Sequence, residues 1–167
     1  MAQDRTNMVS ILDIGSLNGG ATANLKELGD GFTELQEDWG PDVESTQYVN
    51  MKNKTSTVKG YEFSLEAERE YISDEVQTAI DDMFKTLPTG TACETDYYRF
   101  YKTDAVSGST TSFKAIKLPV IVCPSTTGGA GGDILKSAIQ INGNGDVVKG
   151  TITIGTGGTY TFAADTP

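Results

Sequence analysis

The chain has 167 residues, of which 37% are hydrophobic, and carries a formal net charge of −10 at pH 7 from 13 basic and 23 acidic side chains. A chain of this length can form one domain that buries roughly 70% of its unfolded surface, so we expect a single domain over residues 1–167. The acidity argues against tight capture of nucleic acid, and the absence of histidine removes the usual general base and zinc ligand, so we expect neither catalysis nor a cofactor.

Two cysteines, Cys93 and Cys123, lie far apart and form no CxxC pair. This spacing favours reduced, small buried side chains made in a reducing compartment, and a disulfide is the less favoured alternative. The N-terminal run MAQDRTNMVSILDIGSL contains two acids, and Ser10 interrupts its apolar residues. It therefore lacks the apolar core of a signal peptide. No segment approaches the ~20 apolar residues of a membrane span, so we expect no membrane insertion.

The first third of the chain contains many turn-forming residues. Glycine, asparagine and serine punctuate residues 1–30 (GSLNGGATANLKELGDG), which predicts an extended N-terminal arm with one short helical turn at residues 23–28. Residues 32–39 (FTELQEDW) predict a strand, and residues 40–42 (GPD) predict a turn.

A long antiparallel hairpin is predicted next, with arms at residues 45–51 and 58–72 around the polar loop KNKTST. Its second arm contains YEFSLEAEREY, residues 61–71, whose side chains alternate between the two faces of the strand. Ordinary solvent exposure and a function that requires a negative surface explain the acidic face equally well. A one-residue error in register would exchange the faces. The acidic face carries Glu62, Ser64, Glu66, Glu68 and Glu70, and the apolar face carries Tyr61, Phe63, Leu65, Ala67 and Tyr71, interrupted by Arg69.

The segment SDEVQTAIDDMFKTL, residues 73–87, predicts the one helix. Ser73 stands at the N-cap position, acids follow it near the positive end of the helix dipole, and Pro88 and Gly90 end the segment. The apolar stripe of this helix predicts that it lies on a sheet. The stripe consists of Val76, Ala79, Ile80, Met83, Phe84 and Leu87.

The remainder of the chain predicts strands. Residues 94–104 and 112–122 flank a turn near Gly108, and Pro119 predicts a bulge or an edge position. Residues 124–133 (PSTTGGAGGD) predict a flexible Gly-rich loop, and a meander completes the chain at residues 134–141, 146–154 and 159–163. The expected fold class is mostly β with one helix: two packed antiparallel sheets, sandwich-like or barrel-like, flanked by the helix at about residues 73–87.

Two motifs that suggest ligand binding fail on spacing. In GGAGGDILKS three residues separate the last glycine from Lys136, which must follow directly in a phosphate loop. In NGNGDVV, Asn142, Asn144 and Asp146 alternate as in a calcium loop, but Val147 occupies the position of the required glycine. We therefore predict neither a nucleotide site nor a metal site.

An aromatic cluster on one predicted strand leaves two readings open. Tyr97, Tyr98, Phe100 and Tyr101 fall on both faces, which favours a core on one side and a subunit contact on the other. The alternative is a β-sandwich binding module that recognises carbohydrate or a cell-surface partner through Tyr97, Tyr98 and Tyr101. An enzyme working with acids alone, as glycosidases do, is a third possibility for which the sequence suggests no substrate.

Several stretches taken together resemble a known family. The segment LGDGFTELQEDWGPDVESTQYVNMKNKTSTVKGYEFSLEAEREYISDEVQTAIDDMF, with ETDYYRFYKTD and IQINGNGDVVKGTITI, is similar to the major tail tube protein of long-tailed bacteriophages of Gram-positive hosts. The resemblance spans most of residues 28–162 and lies in the order of elements and in phrases such as STVKGYEFS and AEREYISDE.

The resemblance implies a structural protein of the virion tail, assembled in the host cytoplasm as stacked hexameric rings whose inner sheets form one continuous barrel. Its partners would be further copies of itself, the tape measure, terminator and distal tail proteins, and DNA in non-specific transit. On this basis Glu62, Glu66, Glu68 and Glu70 are candidates to line the channel, where they would repel DNA phosphates. The candidate ring-stacking loop is Met51, Lys52, Asn53, Lys54, Thr55, Ser56 and Thr57.

Overall fold

The computed structural model describes residues 1–166 and contains ten β-strands and one α-helix, α1 (Glu75–Thr86). All strand pairs within the sheets are antiparallel, so the predicted class, mostly β with one helix, is confirmed. The strands are β1 (Met8–Asp13), β2 (Leu25–Glu27), β3 (Pro41–Thr46), β4 (Thr55–Tyr61), β5 (Ser64–Glu70), β6 (Glu94–Ala105), β7 (Ser112–Gly128), β8 (Lys136–Gly143), β9 (Val148–Ile154) and β10 (Tyr160–Ala164).

Strand β7, 17 residues long, joins the two parts of the main sheet. It pairs with β6 along one edge, whereas along the other edge its first half pairs with β9 and its second half with β8. The eight-stranded sheet therefore branches. One branch runs in the order β10-β9-β7-β6-β1-β2, and the other adds β8 and β5 to the second half of β7.

Pro119 lies where the branches separate, because Leu118 and Pro119 have no partner in β8 or β9. The Asn144 N–H donates to the Pro119 carbonyl over 2.8 Å. Since the carbonyl and N–H of one residue point to the same side of an antiparallel strand, the N–H that proline lacks would point into this gap. The proline thus occupies a position where no ladder hydrogen bond is lost.

Alternate residues of β7 face two separate cores. Phe113 and Ala115 pack with Tyr98, Phe100 and aromatic side chains of β10 in the first core. The first branch curls around that core, because the Tyr160 hydroxyl of β10 lies 3.4 Å from the Glu27 carboxylate of β2. We call this branch the curled sheet. The second core takes the alternate residues of β7, namely Leu118, Val120 and Val122.

The second core lies between the other branch and helix α1. We call this branch the arm: it consists of β5, β8, the second half of β7 and residues 94–96 of β6. Val76, Ile80 and Met83 of the helix are buried in the same core as Leu65 of β5 and Ile139 of β8. One face of the arm is therefore covered by the helix, as the apolar stripe predicts.

The ends of the helix differ from the prediction by one or two residues. Asp74, not Ser73, is the N-cap, and its carboxylate accepts the Gln77 backbone N–H over 2.8 Å. Leu87 adopts a left-handed conformation with φ 47° as the C-cap, and its side chain is exposed. The apolar stripe consequently ends before Leu87, because that residue has already left the helix.

Arg69 ties the end of β5 to the start of the helix. Its side chain is 1% exposed, and its guanidinium donates to both carboxylate oxygens of Asp74 over 3.0 and 2.8 Å. The same group donates to the Asp30 carbonyl over 3.0 Å and lies over the Phe32 ring. The sequence analysis placed Arg69 correctly on the apolar face, and its acid partner lies in its own chain.

The predicted N-terminal arm over residues 1–30 is wrong in its central part. β1 (Met8–Asp13) is an interior strand between β6 and β2, and the predicted helical turn at residues 23–28 contains β2 instead. Val9 and Ile11 enter the first core and Leu12 the second. A strand buried on both faces reads as a continuous apolar run, and the glycines that follow it obscured this signal.

Further segment boundaries differ from the prediction. Residues 32–39 form no strand and touch β5 only through bridges at Phe32–Arg69 and Asp38–Ser64. The predicted second arm of the hairpin, residues 58–72, is interrupted at Glu62 and Phe63, which separate β4 from β5. The predicted Gly-rich loop at residues 124–133 begins later, because β7 extends through Gly128. Within residues 1–166, no helix is long and apolar enough to cross a membrane.

The Arg69–Asp74 contact predicts an acid-sensitive stability. Hydrogen bonds from Arg69 hold the pKa of Asp74 below its ordinary value, so the stabilisation is present above the unfolded carboxyl pKa of about 3.9 and is lost as pH falls through the folded pKa. Asp74→Asn keeps a good N-cap but loses the charge. In urea unfolding this variant should lose less stability between pH 6 and pH 3 than the wild type; parallel pH profiles would contradict the assignment.

Candidate functional surfaces

The arm has a second face, opposite the helix, that lies open to solvent. Residues directly opposite one another in antiparallel strands share a face, so the register traces this surface from strand to strand. Glu66 of β5 pairs with Gln140 of β8, which pairs with Cys123 of β7. We call this surface the polar face. It consists of Ser64, Glu66, Glu68 and Glu70 of β5, Lys136, Ala138, Gln140 and Asn142 of β8, Ile121 and Cys123 of β7, and Glu94 and Asp96 of β6.

The predicted acidic row is only partly on this face. Glu66 and Glu68 are exposed and Glu70 is partly buried, all three on the side opposite the buried Leu65. Glu62 is exposed but lies in the link between β4 and β5, outside the strand. The row is therefore continuous over residues 66–70 and separated from Glu62 by the break.

The structure adds two acids that the sequence analysis missed. Glu94 and Asp96 of β6 lie on the polar face across from β7 residues Ile121 and Pro119. Two lysines partly offset the negative charge: Lys136 Nζ lies 3.6 Å from Glu68, and Lys117 Nζ lies 3.7 Å from Asp96. These two acids were missed because no local sequence pattern connects them with the glutamates of β5. Only the pairing of β6 with β7, of β7 with β8 and of β8 with β5 places them on the same face.

An open groove adjoins the polar face at β5. The irregular segment 33–39 forms one wall and β5 the other, and Glu34, Glu37, Glu66 and Glu68 contribute carboxylates to the lining. The Glu37 side chain is 6% exposed, with Arg99 Nε 3.1 Å from its Oε2. Burial raises the pKa of Glu37 more than the positive charges of Arg99 and Arg5 lower it. The groove extends the negative surface around the edge of the arm.

The β3–β4 hairpin projects from the body without a partner. Its strands pair only with each other, and every residue of Pro41–Thr46 and of Thr55–Tyr61 except Gly60 is exposed. Backbone hydrogen bonds between Asp38 and Ser64 connect its base to β5. An isolated two-stranded hairpin is at best marginally stable in water, and this one has little packing within its own chain to stabilise it.

The candidate ring-stacking loop lies at the tip of this hairpin. Residues 51–54 belong to the turn, whereas residues 55–57 begin β4. The Gln47 side-chain amide donates to the carbonyls of Met51 and Lys52 over 3.2 and 3.3 Å, which orders the turn. Lys52 and Lys54 are exposed. The predicted loop is thus a polar, partly structured tip.

The aromatic strand does not form a binding platform. Tyr97 is fully buried in the core beneath the helix, and Tyr98 and Phe100 lie in the core of the curled sheet. Burial raises the pKa of Tyr97 and of Tyr98, so both hydroxyls are neutral. Only Tyr101 is exposed, and Arg99 donates to its hydroxyl. The prediction of a core on one side and a subunit contact on the other is wrong, because both faces serve cores.

Two features of residues 1–166 bear on chemical reactivity: the state of the cysteines and the spacing of potential metal ligands. Cys93 and Cys123 are free thiols, and the Cys93 Sγ donates to the Pro88 carbonyl over 3.1 Å. Burial raises the pKa of Cys93, which disfavours the reactive thiolate. Within residues 1–166, no group of three or more histidine, cysteine, aspartate or glutamate side chains has a geometry that fits a metal ion.

No protein-family model matches the chain, and no curated protein matches its sequence. Solved structures match its fold. A chain from the tail of an empty gene transfer agent particle, refined with C6 symmetry, superposes with a TM-score of 0.60 at 9% identity, covering 87% of this chain and 97% of that chain. A chain from the virion of a native gene transfer agent particle has a TM-score of 0.57 at 7% identity with the same coverage.

A third match comes from an extracellular contractile injection system, the PVC sheath–tube complex in its extended state. Its TM-score is 0.53 at 9% identity, and the match covers 89% of this chain and 90% of that chain. At identities this low the similarity establishes the fold, and the match extends over nearly the whole of each chain.

Hydrogen exchange should distinguish the hairpin from the body. In the isolated chain the backbone amides of β4 should exchange at least tenfold faster than those of β8, because β4 has one partner strand and no buried side chain. Mass spectrometry of peptides from the two strands measures this difference. Equal protection in dilute solution would show that the hairpin is stable without a contact outside its chain.

Proposed function

We propose that this protein is the subunit of a phage tail tube, of the type found in long-tailed phages of Gram-positive hosts. Six copies form a ring, and stacked rings enclose a channel through which DNA passes. Two findings support the proposal: the fold shared with chains of tails and of a sheath–tube complex, and the C6 symmetry of one matching particle. The tube would be assembled in the host cytoplasm and reside in the virion tail, with tape measure, terminator and distal tail proteins as further partners.

The observation that carries the proposal is the contrast between the two faces of the arm. The face beneath the helix is apolar and buried, whereas the polar face carries carboxylates and amides, of which Glu66, Glu68, Glu94 and Gln140 are exposed. A wall of a water-filled channel requires this asymmetry, because its inner surface stays hydrated while its outer surface must be covered. The arm with its helix is therefore suited to be one segment of a tube wall.

Both edges of the arm carry backbone that is in no strand ladder within residues 1–166, with segment 33–39 lying beside the β5 edge. β1 pairs with β6 only over residues 97–101, which leaves residues 94–96 unpaired on that side. At the other edge, β5 meets segment 32–38 only at the ends of the strand. Open edges of this kind favour strand pairing between copies.

A ring built from six such arms would be wide enough for a DNA double helix. Four strands spaced about 4.8 Å apart span about 19 Å, so six arms joined edge to edge enclose a ring about 37 Å across between backbones. Strand tilt in a closed barrel enlarges this diameter further. After the inward side chains are allowed for, the opening admits a DNA double helix.

The chemistry of the polar face suits passage without capture. Glu66, Glu68 and Glu70, with Glu62 beyond the strand, would be repeated around each ring and would repel phosphates within the Debye length of about 8 Å at physiological salt. Basic side chains would instead release counterions from DNA and hold it. The hairpin, with residues 51–57 at its tip, would extend from one ring toward the next. The role is structural, and we assign no catalytic residue.

The burial of Tyr97 and Tyr98 removes the stacking surface of the alternative binding module. The tail tube subunit is therefore better supported than the carbohydrate-binding module, which has lost its predicted stacking surface.

The first expected outcome is concentration-dependent assembly. Purified full-length protein should form hollow rings or tubes of uniform width as its concentration rises, since open edges and an unpartnered hairpin favour self-association. Negative-stain electron microscopy and light scattering on the same samples measure this. Monomers at every concentration, including in the presence of a tail-tip initiator complex, would contradict the proposal.

The second expected outcome concerns the channel. Replacing Glu62, Glu66 and Glu68 together by lysine should leave tubes intact but slow genome ejection at least tenfold, because a basic wall binds phosphates. The matched control replaces Asp82, Asp104 and Asp165, three exposed acids away from the polar face, by lysine and should eject at the wild-type rate. If both triple variants eject like the wild type, the polar face does not line the channel.

A further inference from the structure

The two ends of the arm carry different surfaces. The hairpin leaves the arm at the Ser64 end of β5, where Ser64 pairs with Asn142 of β8. The opposite end is formed by Glu70 and its partner Lys136, followed by the chain segments that enter and leave the arm there. Four large apolar side chains are exposed at this second end: Tyr71 at 41%, Ile72 at 40%, Ile134 at 59% and Leu135 at 46%.

These four residues lie on two adjacent chain segments at this end of the arm, and we call them together the end patch. Residues 71–72 follow β5 and residues 134–135 precede β8. The Tyr71 N–H donates to the Leu135 carbonyl over 2.8 Å, which holds the two segments side by side. Four large apolar side chains exposed on two adjacent segments make this end of the arm a candidate for contact with another molecule.

The hairpin presents an apolar face of its own. Val43 lies directly opposite Val58, and Pro41 opposite Tyr61, so these four side chains share one face of the ribbon. All of them are exposed, Val43 at 52%, Val58 at 51% and Tyr61 at 68%. The other face is charged and internally paired, since Lys59 forms an ion pair with Glu44. The hairpin is thus an amphipathic ribbon whose apolar face is bare.

The charges beside the two apolar surfaces are opposite. Lys52 and Lys54 at the hairpin tip take part in no ion pair within residues 1–166. The end patch is flanked by acids: Asp133 is exposed beside Ile134, and Asp81 accepts the Tyr71 hydroxyl over 3.0 Å. Complementary charges of this arrangement set orientation and register in an interface.

We propose that the end patch is the docking site for the β3–β4 hairpin of a second copy of this chain, with the apolar face of the hairpin on the patch and its lysine tip beside the acids. This inference rests on the proposed tail tube function, to which it adds the receiving surface for the hairpin. Because the two surfaces lie at opposite ends of the arm, the contact is heterologous and repeats from copy to copy. It therefore builds stacked rings in one polarity.

Site-specific crosslinking tests the contact between full-length chains. Val58→Cys and Ile134→Cys are prepared as separate variants in a Cys123→Ser background, mixed, and treated with a mild oxidant. The proposal predicts a disulfide-linked pair at least ten times faster than in a matched mixture of Val148→Cys with Ile134→Cys. Val148 is 38% exposed and lies in β9, outside the hairpin. Equal rates in the two mixtures overturn the proposal.

A second variant measures the consequence for assembly. Ile134→Asp with Leu135→Asp should form rings but no tubes at a concentration where the wild type forms tubes, while its melting temperature stays within 2 °C of the wild type because both side chains are exposed. Tubes of normal length from this variant overturn the docking site and leave the tail tube function standing. If the wild type forms no polymer under any condition, the proposed function fails, and the crosslinking rates still decide whether the two surfaces meet.

Discussion

The alternation of side chains along β7 is the constraint on which the rest of this structure depends. One strand of 17 residues supplies Phe113 and Ala115 to the core of the curled sheet and Val120 and Val122 to the core beneath the helix. Because side chains alternate strictly, a shift of one residue in its pairing would exchange both sets at once. The change of partner from β9 to β8 at Pro119 lets a single strand serve both cores without a break.

The functional surfaces follow from this arrangement. Once α1 covers one face of the arm, the other face has no covering element within the chain, and most of its side chains are polar. The contacts of Arg69 with Asp74 and Asp30 join β5, the helix N-terminus and the segment along the edge of the arm. The hairpin and the end patch lie at the two ends of the same strand, β5, so the element that carries the acidic row also fixes the distance between the two surfaces that we propose to meet between copies.

Sequence reasoning predicted features that depend on local pattern and failed on those that depend on pairing. The helix and the final meander carry strong periodicity and turn signals, and the alternation of residues 61–71 placed Glu66 and Glu68 on the correct face. β1 was missed because a strand buried on both faces shows no alternation of apolar and polar residues. The glycines after it suggested an extended N-terminal segment over residues 1–30. Glu94 and Asp96 reach the polar face only through register across β7 and β8, and the end patch joins residues 71–72 to residues 134–135, which are far apart in the chain.

A helical reconstruction of assembled tubes at side-chain resolution tests the central claim most directly, because it shows which surface of the arm faces the channel. The account predicts that Glu66, Gln140 and Asp96 line the inner wall, with α1 on the outside of the sheet. Tubes in which the helix or the curled sheet faces the channel, with the polar face buried between copies, would contradict it.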